Sequence, residues 1–161
     1  MYTKESFWKS VQNEIRIIKH LATKVPAGKF DYKPSEAQRS MLELMQYLSA
    51  AGSSMLKALT TEDAKAAMTY TDFRASVTPE NFAEKMDMQE KDMKEMFLTL
   101  TDEDFKKEFD YYGVRTKAEH LVDGILKNFA AYRMQFFLYI KACGAHVSTM
   151  DVWRGVDTPV K

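Results

Sequence analysis

The sequence contains one cysteine, no excess of either charge sign and no long apolar run. Cys143 alone cannot form an internal disulfide, which is consistent with a reducing compartment. Lys+Arg and Asp+Glu number 23 each, so the positive excess typical of nucleic-acid binders is absent. No window approaches the about 18 uninterrupted apolar residues that a membrane-spanning helix needs, and Lys4, Glu5 and Lys9 interrupt the N-terminal pattern. We therefore expect a cytoplasmic protein that binds neither nucleic acid nor membrane.

Strand-like alternation of apolar and polar residues is also missing, and the apolar residues recur at helical spacing instead. Four such periods predict four long helices, over about 3–24, 40–59, 78–100 and 116–143. Capping boxes open the second and fourth helices at Ser40 and Thr116, and Thr78 followed by Pro79 opens the third. Residues 102–105 predict a further helical turn, and residues 111–113 predict a turn.

The chain length of 161 residues is sufficient for one domain with an adequate core. The segments that join the four helices are long enough to permit a crossover. We therefore predict an all-α fold, a single four-helix-bundle domain over residues 1–161 with a long crossover connection.

The fourth helix carries polar side chains where a core is expected. Alternating steps of three and four residues place Asn128 and Tyr132 on one seam with Leu121 and Ile125. A helix buries such groups only with partners, so they either form an internal hydrogen-bond network or line a ligand cavity. The same helix has more apolar surface than one seam requires, which predicts a homodimer.

Motifs for metal or nucleophilic chemistry are mostly missing. The Glu-x-x-His pairs of a di-iron bundle do not occur at His20, His120 or His146, and no glycine-rich phosphate loop or G-x-S-x-G elbow is present. Two weaker candidates are His120 with Asp123, on one helix face, and Cys143 with His146, as half of a metal site. A helical rise of about 1.5 Å per residue puts His120 and Cys143 roughly 30 Å apart, too far for one site.

Several short motifs occur in an order that resembles the DinB (damage-inducible) and YfiT-like family. They are segments 30–34 (Phe-Asp-Tyr-Lys-Pro), 39–44 (Arg-Ser-Met-Leu-Glu-Leu) and 116–121, the pair Arg133 and Gln135, segment 139–141 with Gly144, and the closing segment 151–153 (Asp-Val-Trp). The resemblance covers nearly the whole chain. It implies a four-helix bundle with a long crossover, usually a homodimer, and usually a divalent metal held by three histidines. Some members of the family act as metal-dependent hydrolases or thiol-dependent transferases.

The resemblance places the helix-two histidine of the family at Tyr47 and the two helix-four histidines at Asn128 and Tyr132, so all three are replaced here. Met134 likewise replaces a glycine that is usual in the family. A tyrosine, whose ordinary pKa is about 10, and a neutral amide are weak ligands for nickel or zinc. We therefore expect no bound metal and no cofactor.

The leading functional hypothesis is a metal-free module that binds a small molecule or a partner, linked to stress only through the family resemblance. Its pocket would be lined by Tyr47, Asn128 and Tyr132, with Gln89 and Gln135 as further candidates, and is either open or closed by hydrogen bonds among these groups. The alternative is a metal-dependent hydrolase or thiol-dependent transferase that uses nickel or zinc. The sequence leaves open whether the protein is an enzyme.

Overall fold

Helices dominate the computed structural model, which describes residues 3–159. The α-helices are α1 (Lys4–Ala22), α2 (Met41–Leu48), α3 (Ala51–Thr61), α4 (Thr71–Ala75), α5 (Phe82–Thr99), α6 (Asp102–Lys106), α7 (Lys117–Leu121) and α8 (Lys127–Ala142). A 3-10 segment (Ala64–Tyr70) precedes α4, and π-helical segments occupy Val122–Leu126 and Met150–Arg154. Strands β1 (Glu108–Asp110) and β2 (Val114–Thr116) form an antiparallel hairpin.

The long helices form a four-helix bundle whose first two members lie at opposite corners. Helix α1 packs on α5 and α8, and the α2–α3 pair packs on the same two helices. The connection over residues 23–40 therefore crosses the bundle. The predicted all-α bundle with a long crossover is confirmed, and within residues 3–159 no helix is both long enough and apolar enough to cross a membrane.

Local capping signals predicted two of the helix starts correctly. The Ser40 hydroxyl accepts the Glu43 N–H, and the Glu43 carboxylate accepts the Ser40 N–H at 2.7 Å. Thr116 and Glu119 repeat this capping box at the start of α7.

The third predicted helix begins four residues later than Thr78. The Thr78 N–H donates to the Asn81 side-chain oxygen at 2.8 Å, and the Asn81 amide donates to the Ser76 carbonyl at 3.0 Å. These bonds stabilise a turn over residues 78–81 in place of a first helical turn. The prediction that Pro79 opens the helix is therefore wrong, and α5 starts at Phe82.

The second predicted helix is interrupted between α2 and α3, where the sequence predicted a continuous helix. An unbroken helix would join the Gly52 N–H to the Leu48 carbonyl. The side-chain amide of Gln89, from α5, instead lies between them: its oxygen accepts the Gly52 N–H at 2.9 Å, and its nitrogen donates to the Leu48 carbonyl at 2.9 Å. A side chain inserted into the helical ladder is a known cause of a kink. Gly52 permits the close packing, because a Cβ there would lie 2.4 Å from the Met93 sulfur.

The fourth predicted helix is also not uniform, because the π-helical segment Val122–Leu126 joins α7 to α8. A π-helical turn contains an extra residue and shifts the register of all that follows. Gly124 lies in this segment where α3 approaches closely, since a Cβ there would be 2.3 Å from the Met55 methyl carbon.

The extra residue changes which side chains of the fourth helix face the core. Ile125 and Phe129 are buried, whereas Asn128 and Tyr132 are half-buried beside them. The predicted single seam through Leu121, Ile125, Asn128 and Tyr132 is therefore wrong, and the two polar residues form a neighbouring row.

Polar contacts attach two irregular elements to the side of the bundle. The Tyr70 hydroxyl, in the 3-10 segment, donates to the Asp92 carboxylate on α5. The His120 ring binds the Phe109 carbonyl of the hairpin through Nε2 at 2.8 Å. The predicted turn over residues 111–113 is confirmed as the tip of this hairpin, and the helical turn predicted over residues 102–105 is confirmed as α6.

Candidate functional site

A cavity of about 540 Å³ opens between the 3-10 segment with α4 on one side and the β-hairpin on the other. Its inner wall includes Tyr47 from the end of α2 and Asn128 from the start of α8, and we call it the Asn128 cavity. Exposed side chains surround its mouth: Met68, Arg74, Tyr112 and Arg115. The cavity thus leads from solvent to the positions at which the family resemblance places metal ligands.

The structure brings Tyr47, Asn128 and Tyr132 together. The Asn128 side-chain nitrogen donates to the Tyr47 hydroxyl at 2.9 Å, and the ring centroids of Tyr47 and Tyr132 are 4.6 Å apart. Tyr132 does not line the cavity but packs on Tyr47. The Arg39 guanidinium lies over the Tyr47 ring, with its carbon 4.5 Å from the centroid.

Of the two polar atoms of the Asn128 side-chain amide, only the nitrogen has a hydrogen-bond partner among residues 3–159. The amide oxygen, Oδ1, is buried and has no hydrogen-bond partner in the part of the chain that the structure describes. A buried acceptor left unpaired costs about 1–3 kcal/mol, so such atoms are uncommon in folded proteins.

These three side chains do not fit a divalent metal. Burial raises the pKa of Tyr47, so its phenol is held in the neutral form, which is a poor ligand. The Asn128 amide is neutral and its N–H already faces the Tyr47 oxygen. Nickel and zinc favour imidazole, thiolate or carboxylate ligands, and this set supplies none of them.

The two glutamines proposed as further pocket residues lie elsewhere. Gln89 is 2% exposed and bridges α2 and α3. Gln135 donates to the Tyr139 hydroxyl at 2.7 Å, and that hydroxyl donates to the Arg39 carbonyl at 3.2 Å. Neither side chain lines the Asn128 cavity. Through the Tyr139 hydroxyl, Gln135 instead supports the backbone carbonyl of Arg39, whose guanidinium lies over the Tyr47 ring.

His120 and Asp123 both line the cavity, and each has a protein partner. A carbonyl can only accept a hydrogen bond, so His120 Nε2 carries the proton that it donates to Phe109, and Nδ1 is the ring nitrogen left with a lone pair. Asp123 is paired with Arg115 at 2.6 Å and with Lys127 at 2.5 Å. The hydrogen bond from Lys127 lowers the pKa of Asp123, which keeps this carboxylate charged.

The pair Cys143 and His146 lies outside the cavity. Cys143 is half-buried, and burial raises the pKa of its thiol. A raised pKa reduces the thiolate fraction, so this cysteine is a weak nucleophile and a weak ligand at neutral pH. His146 is exposed.

A further polar cluster, which sequence reasoning missed, joins α1 to the C-terminal segment. His20 Nε2 lies 2.9 Å from the buried Asp151 carboxylate, and ligand atoms of His20, Asp151 and Asp157 fall within 4.8 Å of one another. Each carboxylate already has protein partners, because Asp151 accepts the Ser148 N–H and Asp157 pairs with Lys24 at 2.5 Å. We interpret the cluster as a fastening for the C-terminal segment. The sequence separation of 131 positions between His20 and Asp151 hid this pairing from the sequence pattern.

The architecture with the cavity at its side is that of a DinB-like four-helix bundle. The crystal structure of a DinB-like protein from Bacillus subtilis, YjoA, is similar to this chain with a TM-score of 0.68. The match covers 88% of this chain and 94% of that chain at 16% sequence identity, so it shows a shared fold. No protein-family model and no curated protein sequence matches the chain.

Proposed function

We propose that the chain is a metal-free small-molecule-binding protein with a DinB-like fold, and that its ligand occupies the Asn128 cavity. The observation that carries this proposal is the cavity whose wall includes Asn128, a residue whose buried Oδ1 has no hydrogen-bond partner within residues 3–159. Stability alone favours pairing or replacing such an atom, whereas a ligand that donates a hydrogen bond satisfies it. The volume of about 540 Å³ is also within the range of roughly 300–1,000 Å³ common for ligand sites.

The alternative of a pocket closed by its own hydrogen bonds needs complete pairing. Tyr47 satisfies only the nitrogen of the Asn128 amide. The geometry therefore favours an open pocket over a closed network. The hydrolase or transferase alternative has no comparable support, because Asp123 is paired with Arg115 and Lys127, and His120 alone is too few ligands for a catalytic metal. The homodimer, the cytoplasmic location and the link to stress stay predictions.

Two fluorescent probes that share one ring system test the proposal. N-phenyl-2-naphthylamine is neutral, 6-anilinonaphthalene-2-sulfonate is its sulfonated anion, and each carries one N–H donor remote from any acidic group. We expect at least one of them to bind with one site per chain. Ala67→Trp, which places an indole in the cavity, should abolish that binding.

Ala64→Trp is the matched control, because Ala64 lies in the same 3-10 segment but is exposed and does not line the cavity. It should bind the probes as the wild type does. Absence of binding by both probes, or equal binding to Ala67→Trp and the wild type, would overturn the proposed function.

A further inference from the structure

The wall of the Asn128 cavity has a local positive charge in a chain whose formal charge is zero. Its charged lining consists of Arg74, Arg115 and Asp123, two guanidinium groups against one carboxylate. Asp123 pairs with both Arg115 and Lys127, so its single negative charge does not neutralise Arg74 and Arg115 together. The other carboxylate near Arg115, that of Glu119, accepts the hydroxyl and N–H of Thr116 in the capping box.

Arg74 is the cation of this wall that lacks a counter-charge. Within residues 3–159 its guanidinium forms no ion pair and no hydrogen bond, and the side chain is exposed at the mouth. A guanidinium presents several N–H donors in a planar fork that matches carboxylate, sulfonate and phosphate oxygens. An unpaired arginine on one side of a cavity mouth, with a second arginine on the other side, is therefore suited to an anionic group.

The remaining lining accommodates an apolar, planar body. Tyr111 and Tyr112 lie at the hairpin tip with ring centroids 4.7 Å apart, and Tyr112 is 94% exposed. Met55 and Met68 face the same space. Aromatic rings and thioethers contact planar rings favourably, and Met68 is 72% exposed without a covering side chain.

We infer that the ligand of the Asn128 cavity is an organic anion with a planar apolar body, whose acidic group binds Arg74 and Arg115 and whose body donates a hydrogen bond to Asn128 Oδ1. This inference rests on the proposed function and names the chemical class of its ligand. The arginines supply the charge selectivity at the mouth, and Asn128 supplies the hydrogen-bond acceptor at the inner wall.

The same pair of probes isolates the charge, because they differ only in the sulfonate. Wild-type protein should bind 6-anilinonaphthalene-2-sulfonate about tenfold more tightly than N-phenyl-2-naphthylamine, the ratio expected from one charge-assisted contact. Arg74→Gln should reduce this ratio to about threefold or less, by weakening the binding of the anionic probe more than that of the neutral one. Added salt should also reduce the ratio, because the arginines are exposed to solvent.

Lys65→Gln is the matched control, since it removes one positive charge from the 3-10 segment that precedes α4 without altering the cavity lining. The wild-type ratio should persist in this variant. Equal affinities for the two probes in the wild type, or equal losses in Arg74→Gln and Lys65→Gln, would overturn the anion inference. If either of these results is found but Ala67→Trp still abolishes probe binding, the proposed function stands and only the anion inference fails. Failure of both probes to bind at all would remove the proposed function and the inference together.

Discussion

Two side-chain amides inside this bundle are used in opposite ways. Gln89 has both ends paired with backbone groups at 2.9 Å and is 2% exposed. Asn128 has one end paired with the Tyr47 hydroxyl and the other end buried without a partner. A fully paired amide stabilises the fold, whereas a half-paired one costs stability and is available to a ligand.

The difference follows from what each amide faces. Gln89 faces a break in a helix, where a carbonyl and an N–H at Leu48 and Gly52 are released together. Asn128 faces a cavity wall made of side chains, where Tyr47 offers one hydroxyl to the amide. The same functional group is therefore a structural bridge in one place and a candidate ligand contact in the other.

Replacing the bridging amide should have the largest effect on stability. Gln89→Leu leaves the Leu48 carbonyl and the Gly52 N–H buried and unpaired, and we expect a loss of about 3 kcal/mol in the free energy of unfolding. Urea denaturation measures this loss. Gln38→Leu, at an exposed position, should change stability little. A Gln89→Leu variant as stable as the wild type would mean that the helix closes its own ladder and that the comparison fails.

Converting the ligand-facing cluster into a metal site should have the next largest effect. The combined variant Tyr47→His, Asn128→His and Tyr132→His places three imidazoles where the present side chains already converge. We expect it to bind about one zinc per chain, and zinc at 100 times its Kd should stabilise the variant by about 2.7 kcal/mol.

Calorimetric titration with zinc and thermal unfolding measure these effects. Asn128→His alone and the wild type should show no tight binding, because one imidazole does not hold a divalent ion against water. A folded triple variant without zinc affinity would contradict the convergence, and tight stoichiometric binding by the wild type would contradict the metal-free proposal.

Replacing Asn128, the half-paired amide, should have the smallest effect on the free energy of unfolding. It should raise this free energy, whereas replacing Gln89 should lower it. Asn128→Leu eliminates the unpaired acceptor, so we expect the free energy of unfolding to rise by about 1 kcal/mol while probe binding weakens. Asn13→Leu, at an exposed position on α1, serves as the control in urea denaturation and probe titration. A loss of stability comparable to that of Gln89→Leu would show that Asn128 is structural as well.

Features that depend on residues a few positions apart were predictable. The capping box of Ser40 and Glu43 and the turn at the hairpin tip are local, and the structure contains both. The strands themselves were missed because three residues are too few to show alternation. The start of α5 was misplaced because Thr78 and Asn81 exchange hydrogen bonds within a turn, and the helical ladder begins only with the bond from the Lys85 N–H to the Asn81 carbonyl.

Features that join distant segments were not predictable from periodicity. The break after α2 depends on Gln89, which is 41 residues from Leu48. The helical period singled out Asn128, but only the family resemblance joined it to Tyr47, which is 81 residues away. Arg74 and Arg115 were missed as cavity residues because an exposed arginine has no distinguishing pattern until the 3-10 segment and the hairpin enclose a space.

The π-helical segment Val122–Leu126 has a consequence for the divergence of such bundles. Because the wide turn already accommodates one extra residue, deleting a residue there converts it into an α turn and leaves the side chains of α8 on the faces that they occupy now. A relative that is one residue shorter in this segment therefore keeps the row of α8 that faces the cavity, with the counterpart of Asn128 displaced by one position in sequence. An alignment that places the gap elsewhere would then assign the ligand positions of relatives to the wrong residues, even where the fold is unchanged.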